Sequence, residues 1–437
     1  MGATYLHPFA GYIYPGAASR HAGRPGPLGA GELRYLRDLA KKVSEIAAAP
    51  EYEQKKRRWQ KHNDLEPSRP MYVCYAEHGW ADLLGDGRLE VESPFWREYE
   101  WYLLHLMYRH EKIDDDFVIG SELPYFVDYV VENANYGLSN TYSSIPETGA
   151  CVGSPLLENF SDMKKMKTPS LSIDEKTTES RHEALRDAFG DILEVKPCIT
   201  GNFASNQPGI LAGLRGIERM MTDMYDEPEF LHELLAFVTL GIAKIFGEMK
   251  NSGYVRSNIG NFYVDSGGNG FSGEWAEAEG DPDCFGNMWG FGVAQEFSEV
   301  SPEHHYEFGV KYQAETMKLF GVNSYGCCEP YTNKFEMLKT YVPNLRRVSV
   351  SAWCDAKKAA ESLKDGYIIS LKPNPAILLY ENDRQKVKDY VAGLLEDTRG
   401  CAVELFLKDI ISLKGRERNF VDSAKIMRET ISEVYDQ

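Results

Sequence analysis

The chain has 437 residues, 43% hydrophobic and 26% charged, a balance that supports a packed globular core. Its net charge of −18 excludes the basic footprint that nucleic-acid binding needs and disfavours a polyanionic substrate. No apolar run is read as a membrane span and no signal-peptide pattern opens the chain, so the expected setting is cytoplasmic, with no membrane partner.

Residues 1–30 are a Gly-, Pro- and Ala-rich lead-in. Leu33, Leu36, Leu39, Val43 and Ile46 then recur at helical spacing and predict a helix over 31–49. The basic run Lys55 to Arg58 reads as a solvated helix face. Met71 to Tyr75 is a predicted strand that ends in Glu77-His78-Gly79-Trp80, and Trp96 to Arg109 a predicted aromatic helix. A further strand is expected at Phe117 to Ile119, after three aspartates. Residues 134–180 lack periodicity and are expected to run over one end of the fold.

Helices are expected near 176–192 and from about 209, with a strand at Glu194 to Cys198 between them. Asp226 and Pro228 open a long helix. Asn261 to Asp265 reads as a strand before the glycine-rich loop Ser266 to Gly273. Ser301-Pro302-Glu303 starts a helix that runs to about Phe320, with His304 and His305 expected at its surface or cap. Asn419 to Val434 is the closing helix.

Between Phe320 and Asn419 four short apolar runs alternate with helical segments, and each stops in reactive or polar residues. Asn323 to Gly326 ends in Cys327-Cys328-Glu329-Pro330, and Arg347 to Ser351 in Trp353-Cys354-Asp355. Tyr367 to Leu371 ends in Lys372-Pro373-Asn374-Pro375, and Ala402 to Leu407 in Lys408-Asp409. A parallel barrel gathers its chemistry at the C-terminal strand ends, where the loops converge. Reactive side chains at four such ends point to an enzyme. The eight cysteines show no Cys-x-x-Cys pair and no disulfide framework, and Cys74, Cys151, Cys198 and Cys284 are expected as buried thiols.

The order of these strand endings, over residues 290–435, resembles the uroporphyrinogen decarboxylase-like superfamily, which includes methylcobamide (corrinoid)-dependent methyltransferases. The resemblance implies an α/β fold: a single (β/α)8 TIM barrel over 111–437 with an N-terminal helical extension, 1–110. It also implies a zinc site, although the family's His-x-Cys is here Gly326-x-Cys328, and Lys408-Asp409 stands where the second cysteine would be. The altered set this would need is Cys328 and Cys327 or Cys354, with Glu329 or Asp409, zinc accepting S, N and O donors. Consecutive residues on a strand face opposite ways, so both thiols share the site only if a turn follows Gly326.

Lys408, Asp409, Glu404 and Lys372 are the expected catalytic residues, Glu404 because a mid-strand carboxylate needs a partner or a raised pKa. His78, Trp353, Asp355, Asn374 and Asp265 are the expected substrate-binding residues; Asp355 also suits an N-cap. The implied function is corrinoid-dependent methyl transfer. A methyl group would move between a small methylated ether, amine or thiol and the cobalt of a cobalamin-carrying partner protein, behind an apolar rim. A metal-free decarboxylase or lyase, and a non-catalytic barrel that docks a corrinoid protein, are the alternatives.

Overall fold

The computed structural model describes residues 23–138, 142–144, 151–153, 155–199, 203–264, 266–275, 284–364 and 366–435. Nine short strands carry the architecture: β1 (Met71–Cys74), β2 (Glu122–Phe126), β3 (Glu194–Cys198), β4 (Phe203–Ser205), β5 (Trp289–Gly292), β6 (Val322–Tyr325), β7 (Leu345–Val350), β8 (Ile368–Leu371) and β9 (Ala402–Leu407). Seven of them form one all-parallel sheet in the order β1, β9, β8, β7, β6, β5, β4. Their side chains are almost all buried, as parallel strands covered by helices require. The first strand thus lies beside the last, which is barrel-like order.

Among the described residues the ladder does not close into an eight-stranded barrel. There β2 pairs only with β3, in a separate parallel pair. The reason lies at the free edge of β1, where carboxylates do the work of a neighbouring strand. Asp115 Oδ2 accepts the Cys74 N–H at 2.9 Å, and Asp116 Oδ2 accepts the Tyr72 N–H at 3.1 Å. These buried aspartates are balanced by Arg109, 2.6 Å from Asp115, and by Arg69, 2.7 Å from Asp116. The strand expected at Phe117 to Ile119 is therefore irregular backbone. The fold is mixed α/β with a barrel-like parallel sheet.

Met71–Cys74 lies inside the segment expected to be a helical extension, yet it is a strand of this sheet. The helices Ala30–Ala47 and Pro94–Lys112 share the sheet's apolar core through Leu36, Val43, Leu103 and Leu106. A second apolar cluster surrounds the helix Pro228–Asn251. Length and composition would let that helix cross a membrane, contrary to the sequence expectation, but 56% of its apolar window is buried in the fold. Residues 134–180, where described, pack against it: the Tyr136 hydroxyl donates to the Val238 carbonyl at 2.8 Å.

The stretch expected as the strand 261–265 is irregular, with one antiparallel bridge from Tyr263 to Asn269, and Asp265 lies outside the described residues. β5, unforeseen in the sequence, takes a place in the sheet. His305 is fully buried, hydrogen-bonded at 2.9 Å to the Tyr325 hydroxyl, and not at the surface.

Candidate functional site

Along β9, alternation places Glu404, Phe406 and Lys408 on one face. Glu404 sits deep, 2.9 Å from Arg347 on β7 and 3.2 Å from His62. Burial alone would raise its carboxyl, but Arg347, the bond from His62 and the charge of Lys372 hold it down at about 2. Glu404 is therefore an ionised anchor of the sheet, held by charge. Lys372 is likewise buried, its ammonium 2.6 Å from Ser370 Oγ and 4.9 Å from the Phe406 ring centroid.

One level up, at the strand ends, the thiols converge. Gly326 takes φ +98°, a conformation open to glycine, and turns the chain as β6 ends. Cys327 and Cys328 then bring their sulfurs to 3.4 Å of one another. Lys408 Nζ reaches Cys327 Sγ at 3.7 Å and Asp409 Oδ1 at 3.2 Å. Cys328 Sγ lies 3.5 and 3.6 Å from the two Asp409 oxygens. Four expected site residues from two separated strand ends, 81 positions apart, thus form one cluster. Cys327 and Lys408 are buried, while Cys328 is half-buried and Asp409 exposed.

The Cys327 thiol is brought down to about 7 by its bond with Cys328 and by Lys408, against the effect of burial. Cys328 is pushed up, first as the donor to Cys327 and then by burial. Ionisation of the pair therefore falls on Cys327, which faces the ammonium.

Glu329 and Cys354 are occupied elsewhere. Glu329 accepts the N–H groups of Cys327 at 2.9 Å and Ala294 at 3.1 Å, and also the Tyr331 hydroxyl. Cys354 Sγ accepts the Tyr331 N–H at 3.1 Å. Among the described residues no group of three or more His, Cys, Asp or Glu side chains is arranged to hold a metal. The expected zinc set does not fit this arrangement: two donors have other duties, and Lys408 brings a positive charge to the remaining thiolate. Gly326 has no room for the family's histidine, because an added Cβ would collide with the Tyr331 ring.

Asp355 accepts the Lys358 N–H at 3.0 Å and Asn374 the Ala376 N–H at 2.9 Å, so both are helix N-caps. His78 is exposed in the turn after β1. Its neighbour Glu77, which no sequence signal singles out, is the residue that reaches the cluster. Glu77 Oε2 accepts the Ile410 N–H at 2.9 Å, tying the β1 loop to the loop that carries Asp409. Burial raises its carboxyl, with Lys408 opposing and Asp409 reinforcing the shift. Its φ of +48° and the +64° of Asp409 are strained for non-glycine residues, a signal invisible in sequence. Trp353, 74% exposed after β7, and Ile411, 82% exposed after β9, stand at the same end as the thiols.

A cavity of about 420 Å³ lies elsewhere, beside Glu122 and Glu194, the first residues of β2 and β3, and is walled by Tyr52, Tyr102 and Phe262. In a parallel architecture the strand starts face away from the chemistry and serve stability. The strand-end cluster is therefore the candidate active site.

No family model matches the chain, and no curated protein matches it. Among solved structures the chain is similar to a methyltransferase from Methanosarcina mazei, with a TM-score of 0.50 and 13% sequence identity over 87% of this chain and 99% of that one. That likeness is one of fold.

Proposed function

We propose that the chain is a corrinoid-dependent methyltransferase, moving a methyl group between a small methylated ether, amine or thiol and the cobalt of a partner corrinoid protein. The observation that carries this reading is the cluster of Lys408, Cys327, Cys328 and Asp409 at the C-terminal strand ends, in a fold similar to that of a methyltransferase. The corrinoid would supply the metal centre that takes or gives the methyl group. The chain's own part is to hold the substrate heteroatom against Lys408. Asp409, 3.2 Å from Lys408 Nζ, orients the ammonium, which stabilises charge on the heteroatom as the methyl group departs, then gives it a proton. Exposed Trp353 and Ile411 offer an apolar rim at the open end.

The test supplies reduced corrinoid protein and a panel of methylated ethers, amines and thiols, and follows the corrinoid spectrum. Donor-dependent change is expected with the wild-type chain, and Lys408→Met should slow it by about 10²–10⁴-fold, the range of a lost general acid. No change with any donor would return the reading to a barrel that only docks its partner. Carbon dioxide release from a carboxylated substrate would favour a decarboxylase.

A further inference from the structure

Cys327 and Cys328 are chain neighbours, yet the Gly326 turn leaves their sulfurs only 3.4 Å apart. The backbone around Cys327 is pinned from both sides. Its N–H donates to Glu329 at 2.9 Å, and its carbonyl accepts the Ser349 hydroxyl at 2.7 Å. Ala204, Phe291 and Val293 pack behind the pair as a small apolar wall. Cys327 is sealed, while Cys328 is partly open to the strand-end face, with the Asp409 carboxylate alongside it. One thiol thus meets solvent and the other waits directly behind it.

We propose that Cys327 and Cys328 form a dithiol exchange site, which a low-molecular-weight disulfide oxidises reversibly to a bridge between the two neighbours. Cys328 hands its proton to the adjoining Cys327 sulfur, 3.4 Å away, and attacks the disulfide R–S–S–R. A Cys328–S–S–R bond forms, the R–S–S–R bond breaks, and the first RS⁻ leaves with that proton from Cys327. Cys327, as thiolate, then attacks the Cys328 sulfur, forming the bridge and expelling the second RS⁻. The two protons given up by the cysteines end on the two leaving thiolates. Two electrons pass from the protein to the disulfide, giving two RSH.

Consecutive Cα atoms lie about 3.8 Å apart across a trans peptide. Most disulfides span about 4.4–6.8 Å between Cα atoms. A bridge here is strained and readily reduced, which is the character of a labile rather than a structural disulfide. It would remove the thiolate that faces Lys408, so the exchange acts on the candidate site without depending on which reaction runs there.

The experiment treats the full chain with glutathione disulfide and follows intact and peptide masses. Wild type should lose two hydrogens, with the bridge confined to the peptide carrying both cysteines and reversed by dithiothreitol. Cys327→Ser should stop at one glutathione on Cys328, and Cys354→Ala should behave as wild type. Phenylarsine oxide, a probe for paired thiols, should protect both cysteines of the unaltered chain from alkylation; this needs no variant to fold. Glutathione retained on wild type without loss of two hydrogens, a bridge to Cys354, or failure of the arsenical to protect the pair would each overturn the proposal. The readouts are thiol chemistry, so they stand apart from the outcome of the methyl-transfer assay.

Discussion

Arg347 Nε lies 2.9 Å from Glu404 Oε1, and neither side chain is more than 1% exposed. The two residues are 57 positions apart on strands separated by β8, so this pair ties β7 to β9 across the interior of the sheet. Removing one partner leaves a buried, uncompensated charge, which costs about 3–5 kcal/mol. Arg347→Met should lower stability by that amount in urea unfolding. The double variant Arg347→Met/Glu404→Met should recover part of the loss. A double variant weaker than the single would show that the pair does not act as a unit. The acid dependence follows from the depressed carboxyl of Glu404. Its contribution is present above the ordinary value of 4.5 and is lost as pH falls toward about 2.

Cys327 offers a second test. Its thiol lies near 7, with the Cys328 bond as the larger cause and Lys408 as a further one. Thiolate absorbance in the ultraviolet tracks ionisation without reagent access. The pH midpoint assigned to Cys327, by difference from Cys327→Ser, should rise in both Cys328→Ala and Lys408→Met, and further in the former. A midpoint unmoved by either change would mean that neither neighbour holds the charge.

Of the strands legible in sequence, β8 and β9 are near-continuous aliphatic runs, as burial on both faces favours, while β6 and β7 carry Asn323, Ser324, Arg347 and Ser349 among their buried residues. β5 was hidden because Trp289-Gly290-Phe291-Gly292 alternates aromatics with glycines, which have poor strand propensity. Its glycines are there for packing: a Cβ at Gly290 would strike Asn323 and Phe320, and one at Gly292 would strike Tyr325 and Met317. The edge at β1 was illegible for another reason. Asp115 and Asp116 act through side-chain bonds to the backbone, and no hydrophobic period records those. At the site, spacing located Cys327, Cys328, Lys408 and Asp409, but it could not separate the cap role of Asp355 from a pocket role. Nor could it show that Glu77, not the adjacent His78, turns toward the cluster.

Gly326 decides whether a metal site can be rebuilt. A histidine there must adopt φ +98° and displace the buried Tyr331 ring. Gly326→His should therefore leave zinc binding no better than wild type when dialysed protein is titrated with zinc, and should destabilise the fold. Gly326→Ala carries the same backbone strain with less bulk. It should cost about 1–3 kcal/mol, and it should slow phenylarsine oxide capture by moving the thiols apart. A Gly326→His chain that gains a stoichiometric zinc ion would show that the turn is more pliable than its packing implies.

His305 gives the fold a pH dependence of its own. The Tyr325 hydroxyl donates to Gln313 Oε1 at 2.6 Å, so at the 2.9 Å contact it is His305 Nε2 that donates to Tyr325. Nδ1 is then the proton-free nitrogen, buried with no hydrogen-bond partner among the described residues. Burial, with the nearby charge of Lys334, pulls the imidazole down from 6.5 to about 3. The unfolded chain thus binds this proton before the folded one does. The contribution to stability is fully present above pH 6.5 and is lost progressively as pH falls toward 3. Each pH unit within that window is worth about 1.4 kcal/mol, so roughly 2 kcal/mol should go by pH 5. Most of this loss precedes the protonation of ordinary carboxylates. Urea midpoints at pH 7 and pH 5 should therefore differ markedly in wild type and much less in His305→Gln, which keeps a donor for Tyr325 but cannot take up the proton. An equal drop in both chains would assign the acid sensitivity to some other group.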